Sequence, residues 1–305
     1  MSTEKKAVVT GAFSYLGKYI TRELLRQGVR VKTLTGHPDR ENEFGDRVEA
    51  APFHFEEPAR MAAELADADW LFNTYWVRFN RGRVTYGGAV ANTQNLISAA
   101  REAGVKRFVH VSITNPSPDS PLGYFSGKAA MEKTLIGSGL SYAIVRPTVL
   151  FGREDILINN IAWLLRRSPV FGVFGRGDYR MQPVYVGDVA ALAVELAEKK
   201  ENVIMDAVGP ETYAYADLVR LMRERIGSRS ALIRVPPLLA WLAGLVARPL
   251  LGDVIITREE IRGLMEGLLV SERPPTCPTR FSEWIGGHAA ELGRGYASEL
   301  SRHYR

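Results

Sequence analysis

The chain has 305 residues, 46% of them hydrophobic and 24% charged, the balance of a folded globular protein rather than a disordered or collagen-like one. At roughly 150 residues per domain it holds about two structural units, with ample material for a core. Formal net charge is +5, yet Lys and Arg are spread along the length, with only short groups such as Arg78, Arg81 and Arg83. No nucleic-acid-binding motif stands beside them, so no nucleic-acid partner is expected. The single Cys277 cannot close an internal disulfide, and residues 1–6 lack the apolar segment of a secretory signal, so a reducing cytoplasm is the expected location. The uncharged stretch 235–247 is shorter than the roughly 20 residues that span a bilayer, so no transmembrane segment is expected.

Residues 6–10 form an apolar run that meets Gly11, the pattern of a buried strand feeding a turn. Over 15–27, Leu16, Tyr19, Ile20, Leu24 and Leu25 fall at helical spacing, and Gly28 stands just past the end. Residues 29–35 read as a strand, 48–53 as a weaker one, 60–65 as a short helix and 69–74 as a further apolar run. A helix over 90–103 closes at Gly104, and 107–112 is β-branched and aromatic enough for a buried strand. Residues 129–136 and 141–146 add a helix and a strand. Beyond 150 the alternation loosens: 159–167 and 186–199 read as helices, 203–208 as a strand and 215–226 as a helix. Strands alternating with helices predict an α/β fold, a doubly wound parallel (Rossmann) sheet with a smaller C-terminal substrate lobe. The expected division is a dinucleotide-binding domain over 1–150 and a mixed region over 151–305. That second region completes the sheet through 186–208 and forms the lobe.

Three constellations carry chemistry. Thr10-Gly11-Ala12-Phe13-Ser14-Tyr15-Leu16-Gly17 lies between the first strand and the first helix, where helix amides receive a pyrophosphate and glycines permit the turn. A plain strand-to-helix turn would read the same way. Tyr124 and Lys128 lie one helical turn apart, with Ser112 at the end of the preceding strand. A tyrosine hydroxyl titrates near 10 in water and an adjacent ammonium favours the phenolate, so Lys128 would assist Tyr124 in acid–base work while Ser112 holds a substrate oxygen. An ordinary surface pair has the same spacing. Finally, 141–152 reads as a strand running into a loop fixed by Pro147, followed later by Pro183-Val-Tyr-Val-Gly-Asp188.

Together, in this order, these motifs resemble the short-chain dehydrogenase/reductase superfamily in its extended and atypical branches. Within it, the chain looks most like NAD-dependent epimerase/dehydratase and NAD(P)H-binding proteins, related to the NmrA-like sensors and the NDUFA-type accessory subunit of complex I. The resemblance implies that Gly11, Phe13, Ser14, Tyr15, Leu16 and Gly17 lie at the pyrophosphate, Asn73 and Thr74 beside the ribose, and Pro147, Val149 and Leu150 near the nicotinamide. It makes Ser112, Tyr124 and Lys128 the catalytic trio, with Thr114 competing for the hydroxyl role. The implied activity is an NAD(P)-dependent oxidoreductase or epimerase-like enzyme with hydride transfer to or from a small-molecule substrate. The alternative, found among such relatives, is a non-catalytic NAD(P)H-binding redox sensor or assembly subunit.

The chain departs from that pattern in two places. Ser14 stands where the motif has its middle glycine, with a hydroxyl able to donate to a phosphate. After the second strand, Thr35-Gly36-His37-Pro38-Asp39-Arg40 does not end on the acid that holds a ribose diol, and His37 and Arg40 tilt the expected cofactor to NADP, with NAD as the alternative. His54 and Phe55 would flank the adenine. The five histidines lack metal-ligand spacing, so no metal is expected. Trp70, Phe72, Tyr75, Trp76 and Phe79 line either a substrate cleft or the core, and 236–251 either packs in the lobe or touches a membrane surface peripherally.

Overall fold

The computed structural model describes residues 4–239, 241–242, 252–254 and 256–303. They form two compact units, the first made of Met1–Pro147 with Gly187–Ala207, the second of Thr148–Val186 with Val208–Arg305. The strands in chain order are β1 (Lys6–Thr10), β2 (Arg30–Thr35), β3 (Val48–Pro52), β4 (Trp70–Asn73), β5 (Arg107–Val111), β6 (Tyr142–Pro147), β7 (Val149–Phe151), β8 (Val170–Phe174), β9 (Arg180–Met181), β10 (Pro183–Tyr185), β11 (Val203–Ala207), β12 (Tyr213–Ala214) and β13 (Ala231–Val235). The main helices are α1 (Tyr15–Arg26), α2 (Pro58–Glu64), α3 (Tyr86–Glu102), α4 (Gly123–Ile136), α5 (Leu157–Arg167), α6 (Val186–Glu198) and α7 (Tyr215–Arg225).

In the first unit seven strands pair in the order β11-β6-β5-β4-β1-β2-β3, every pair parallel. Parallel neighbours require crossovers, which the intervening helices supply, and both sheet faces are therefore covered. Val8, Leu34, Leu71, Phe108 and Ile144, from successive strands of the sheet, are fully buried in one cluster. Helix α1 buries the i, i+4 stripe Leu16, Ile20 and Leu24. The strand order reverses between β1 and β4, and in such sheets the crevice beyond the strand carboxyl ends at that reversal is where ligands bind. At the opposite end of the strands the buried Arg107 holds the returning chain, donating to the carbonyls of Leu196 and Glu201 and to Ser141 Oγ, each at 2.8 Å.

Three elements differ from the sequence expectation near the crevice. Helix α4 starts at Gly123 rather than 129, so Tyr124 and Lys128 both lie within it. Its N-cap, Leu122, offers no side-chain cap, so no capping signal marks the start. Helix α3 starts at Tyr86 rather than 90, with Thr85 Oγ1 accepting from Gly88 N at 3.0 Å; Gly87 and Gly88 disguise that start as a loop. Pro147 ends β6, paired with Ala207, and Val149 and Leu150 lie in β7, where a Pro-fixed loop was expected. Proline is tolerated at a strand end because only its N–H is missing from the ladder.

The second unit contains the parallel pairs β7–β10 and β8–β13 and the antiparallel pair β9–β12. Its core joins Phe151, Met181, Tyr215, Phe281, Trp284 and Ile285. The helix Arg258–Met265 opens with a capping box of Thr257 and Glu260. Segment 236–251 lies largely outside the described residues; within it Leu238 and Leu239 are exposed. Among the described residues no helix is long and apolar enough to cross a membrane.

Candidate active and cofactor site

The turn after β1 is built for a close approach of backbone. Gly11 sits at φ +69, its N–H bonded to Leu34 O at 2.8 Å, and its carbonyl accepts from Ser14 N at 2.8 Å. A Cβ on Gly17 would fall 2.1 Å from the Gly11 carbonyl oxygen, so only glycine lets the first turn of α1 rest on the loop. The Ser14 hydroxyl donates to that same carbonyl. It thus closes the loop on itself, where a donor to phosphate was expected, and it makes no side-chain cap on α1. No acidic residue stands in the first turn of α1. A helix start without carboxylate or side-chain cap, behind a glycine-tight turn, fits an anionic pyrophosphate. Leu16 is buried, while Phe13 and Tyr15 are half-buried, Phe13 stacking on Phe44 at 6.5 Å.

At the end of β2 the buried Thr35 accepts from His37 N at 3.2 Å. His37 is exposed and Arg40 half-buried, and no carboxylate ends the strand. Beyond β3, Phe53 and Phe55 stack at 4.6 Å and both meet Tyr75, at 5.3 and 5.1 Å. His54 beside them is buried, with Nδ1 3.7 Å from Glu57. Asn73 is fully buried and its side chain works inward. Its Oδ1 accepts from Thr10 Oγ1 at 3.0 Å and Tyr75 N at 3.2 Å, and its Nδ2 lies 3.1 Å from His110 Nδ1. That carboxamide fixes the ends of β1, β4 and β5. Thr74, half-buried, donates its hydroxyl to Thr10 O.

Beyond β5 the chain stays extended for three residues, Ser112 N and Thr114 N bonding to Val145 O and Pro147 O at 2.8 and 3.0 Å. Two residues apart on an extended chain, the two side chains share a face. Both are buried, and neither the Ser112 nor the Thr114 hydroxyl has a hydrogen-bond partner. An unsatisfied buried hydroxyl costs about 1–3 kcal/mol, and these two are left able to bond to a group from outside the fold.

Tyr124 is the second residue of α4, and Lys128, one turn on, shares its face. Lys128 is buried, donates to Val111 O at 2.9 Å and lies 4.7 Å from the Trp76 ring centre. Burial pushes its ammonium down to about 7 although Glu132 pulls the other way. The lysine was expected to supply a standing positive charge; instead its charge comes and goes near neutrality. His110 is held well below the ordinary histidine range by burial first and by Lys128 second. Trp76 stacks on Tyr86 at 5.8 Å, and Tyr124 meets both edge-on at 5.5 and 6.1 Å. Gly123 and Gly127 permit this, because a Cβ on either would fall 2.7 Å from the Tyr86 or Trp76 ring. Trp70, Phe72 and Phe79 are buried, whereas Tyr75 and Trp76 remain partly exposed, so the aromatic run divides between the core and the face of α4 that carries Lys128. Trp76 had been grouped only by composition; its place over Lys128 carried no sequence signal. Val149 and Leu150, expected near a nicotinamide, lie on β7 of the second unit. Among the described residues no cluster of His, Cys, Asp or Glu could hold a metal.

The chain is 26% identical over 286 residues to the mitochondrial NADH dehydrogenase (ubiquinone) 1 alpha subcomplex subunit 9 of Arabidopsis thaliana, covering 87% of this chain and 71% of that one. It is 29% identical over 248 residues to a ceramide reductase of Caulobacter vibrioides, covering 77% and 76%. Its fold is similar to the crystal structure of an NADPH-dependent quinone oxidoreductase from Escherichia coli complexed with NADPH, at TM-score 0.73 and 19% identity over 92% of this chain and 99% of that one. The NAD(P)H-binding family model matches residues 11–200, from the glycine of the first turn past helix α6. With the parallel sheet and the glycine-tight turn, that match places the chain in the NAD(P)H-binding family.

Proposed function

We propose that this protein is an NADP(H)-dependent oxidoreductase acting on a small-molecule carbonyl or alcohol, with Tyr124 as its acid and base. The observation that carries the reading is the pairing of Tyr124 and the buried Lys128 on one face of α4 with two buried, unpartnered hydroxyls, Ser112 and Thr114, at the end of β5. A bound nicotinamide would supply the two-electron chemistry. Gly11, Gly17 and the first amides of α1 would hold its pyrophosphate, the Phe53, Phe55 and Tyr75 rings would flank the adenine, and Arg40 with His37 would meet a 2′-phosphate. Ser112 or Thr114 donates to the substrate oxygen and Tyr124 delivers its proton there during reduction, or removes it during oxidation. The protonated Lys128 stabilises negative charge on the Tyr124 oxygen. An epimerase-like cycle, oxidising and re-reducing one substrate, would use the same groups.

Tyr124→Phe is expected to lower turnover at least a hundredfold while NADPH affinity, read by fluorescence titration, changes less than threefold. Retained turnover would refute the role of Tyr124. The identity to a respiratory-complex subunit supports a second reading, a non-catalytic assembly subunit with protein partners. Tight NADPH binding without oxidation in the presence of quinones, aldehydes, ketones or sugar nucleotides would favour that reading.

A further inference from the structure

One turn beyond Lys128, Glu132 carries the carboxylate that raises the lysine's affinity for a proton. That carboxylate is buried and engaged elsewhere. Arg146, on β6, grips it with both arms of its guanidinium, Nε to Oε1 at 2.9 Å and Nη2 to Oε2 at 2.5 Å. Lys128 turns the other way, to the Val111 carbonyl and the Trp76 ring. A bidentate arginine fork saturates a carboxylate in a way that a lysine cannot displace. Behind the pair, Asp206 on β11 stands in register with Arg146 and adds to its field.

We propose that the Arg146–Glu132 pair is a positioning device for Lys128: by holding the neighbouring carboxylate away, it keeps the lysine ammonium unpaired and open to the site. This rests on the reading of Lys128 as part of the active site, but it concerns the lysine's titration and can be measured without turnover. Among the described residues, the titratable and charged groups that bear on Lys128 are Glu132 on α4 and His110 on β5, with Tyr124 one turn before it and Arg146 and Asp206 behind Glu132. The strap after β4 contributes the uncharged Trp76. His110 is neutral in this setting, with Asn73 on its Nδ1, so Glu132 is the group whose partner sets the local field.

The test is the titration midpoint of Lys128, followed by NMR of 13C-labelled lysine methylene groups and assigned by loss of its signal in Lys128→Met. Glu132→Gln keeps an acceptor for Arg146 but removes the negative charge, and is expected to lower the midpoint by about one pH unit. Arg146→Met releases Glu132 toward Lys128 and is expected to raise it by about one unit or more. Arg146→Lys, which keeps the charge but loses the fork, is expected to fall between wild type and Arg146→Met. Shifts in opposite directions support the proposal, because a merely structural pair would give equal losses of stability and no such split. Midpoints unchanged within about 0.3 units, or moved in the same direction, overturn it. Should Arg146→Met fail to fold, Glu132→Gln decides alone: a lower midpoint supports the proposal and an unchanged one overturns it. Loss of turnover in Tyr124→Phe bears on the enzymatic reading only, so the two can fail separately.

Discussion

Replacing Lys128 with methionine removes a buried ammonium while leaving a side chain of similar length against Trp76, and the sign of the effect depends on pH. In the unfolded chain the lysine titrates near 10.5, whereas burial brings it down to about 7 in the fold. Below pH 7 both states hold the proton and the fold bears the full cost of the buried charge. Between about 7 and 10.5 the unfolded state binds a proton that the folded state does not, so stability rises with pH and the cost has vanished near 10.5. At about 1.4 kcal/mol per pH unit the cost reaches about 5 kcal/mol as an upper bound. Loss of the bond to Val111 O returns about 1 kcal/mol to the wild type. Lys128→Met is therefore expected to be more stable than wild type by about 2–4 kcal/mol at pH 6 and no more stable at pH 10. Urea unfolding followed by tryptophan fluorescence at pH 6, 8 and 10 reads the difference, in which titrating groups that do not interact with Lys128 cancel. A pH-independent difference, or a less stable variant at pH 6, would refute the argument.

Gly17→Ala places a Cβ 2.1 Å from the Gly11 carbonyl, and is expected to cost about 2 kcal/mol of stability, read by denaturant unfolding. It should also weaken NADPH binding at least tenfold, read by calorimetry. Arg40→Ala is expected to weaken NADPH about tenfold and NADH less than twofold, because only the former carries the 2′-phosphate; equal losses would count against Arg40 as its partner.

The sheet and the glycine-tight turn after β1 were legible because they depend on local pattern. The apolar run ending in Thr10, the stripe Leu16, Ile20 and Leu24, and Gly11 and Gly17 all carry their reasons within a few residues. The environment of Lys128 was not legible, because it depends on chain remote in sequence. Trp76 and Tyr86 reach α4 only because Gly123 and Gly127 have no side chains there, and glycines in sequence read as breaks. The partners of the Asn73 carboxamide, Thr10 and His110, were not legible either, because they lie on strands far away in sequence. The short strands of the second unit were missed for a similar reason. The pair β9–β12 has two residues on each side, too few to show any alternation.

The returning segment clamped by Arg107 also bears on the order in which the molecule can fold. The seventh strand, β11, is supplied by residues 203–207, after the chain has left the sheet at Pro147 and made residues 148–186 of the second unit. Until that segment arrives, β6 is an open edge with unpaired amides and carbonyls, and the guanidinium of Arg107 lacks the Leu196 and Glu201 carbonyls it will hold. On a growing chain, the crevice beyond the carboxyl ends of β1 and β4 is therefore flanked by an unfinished sheet until about sixty residues past the end of β6 have emerged, and chaperone binding would serve best in that interval.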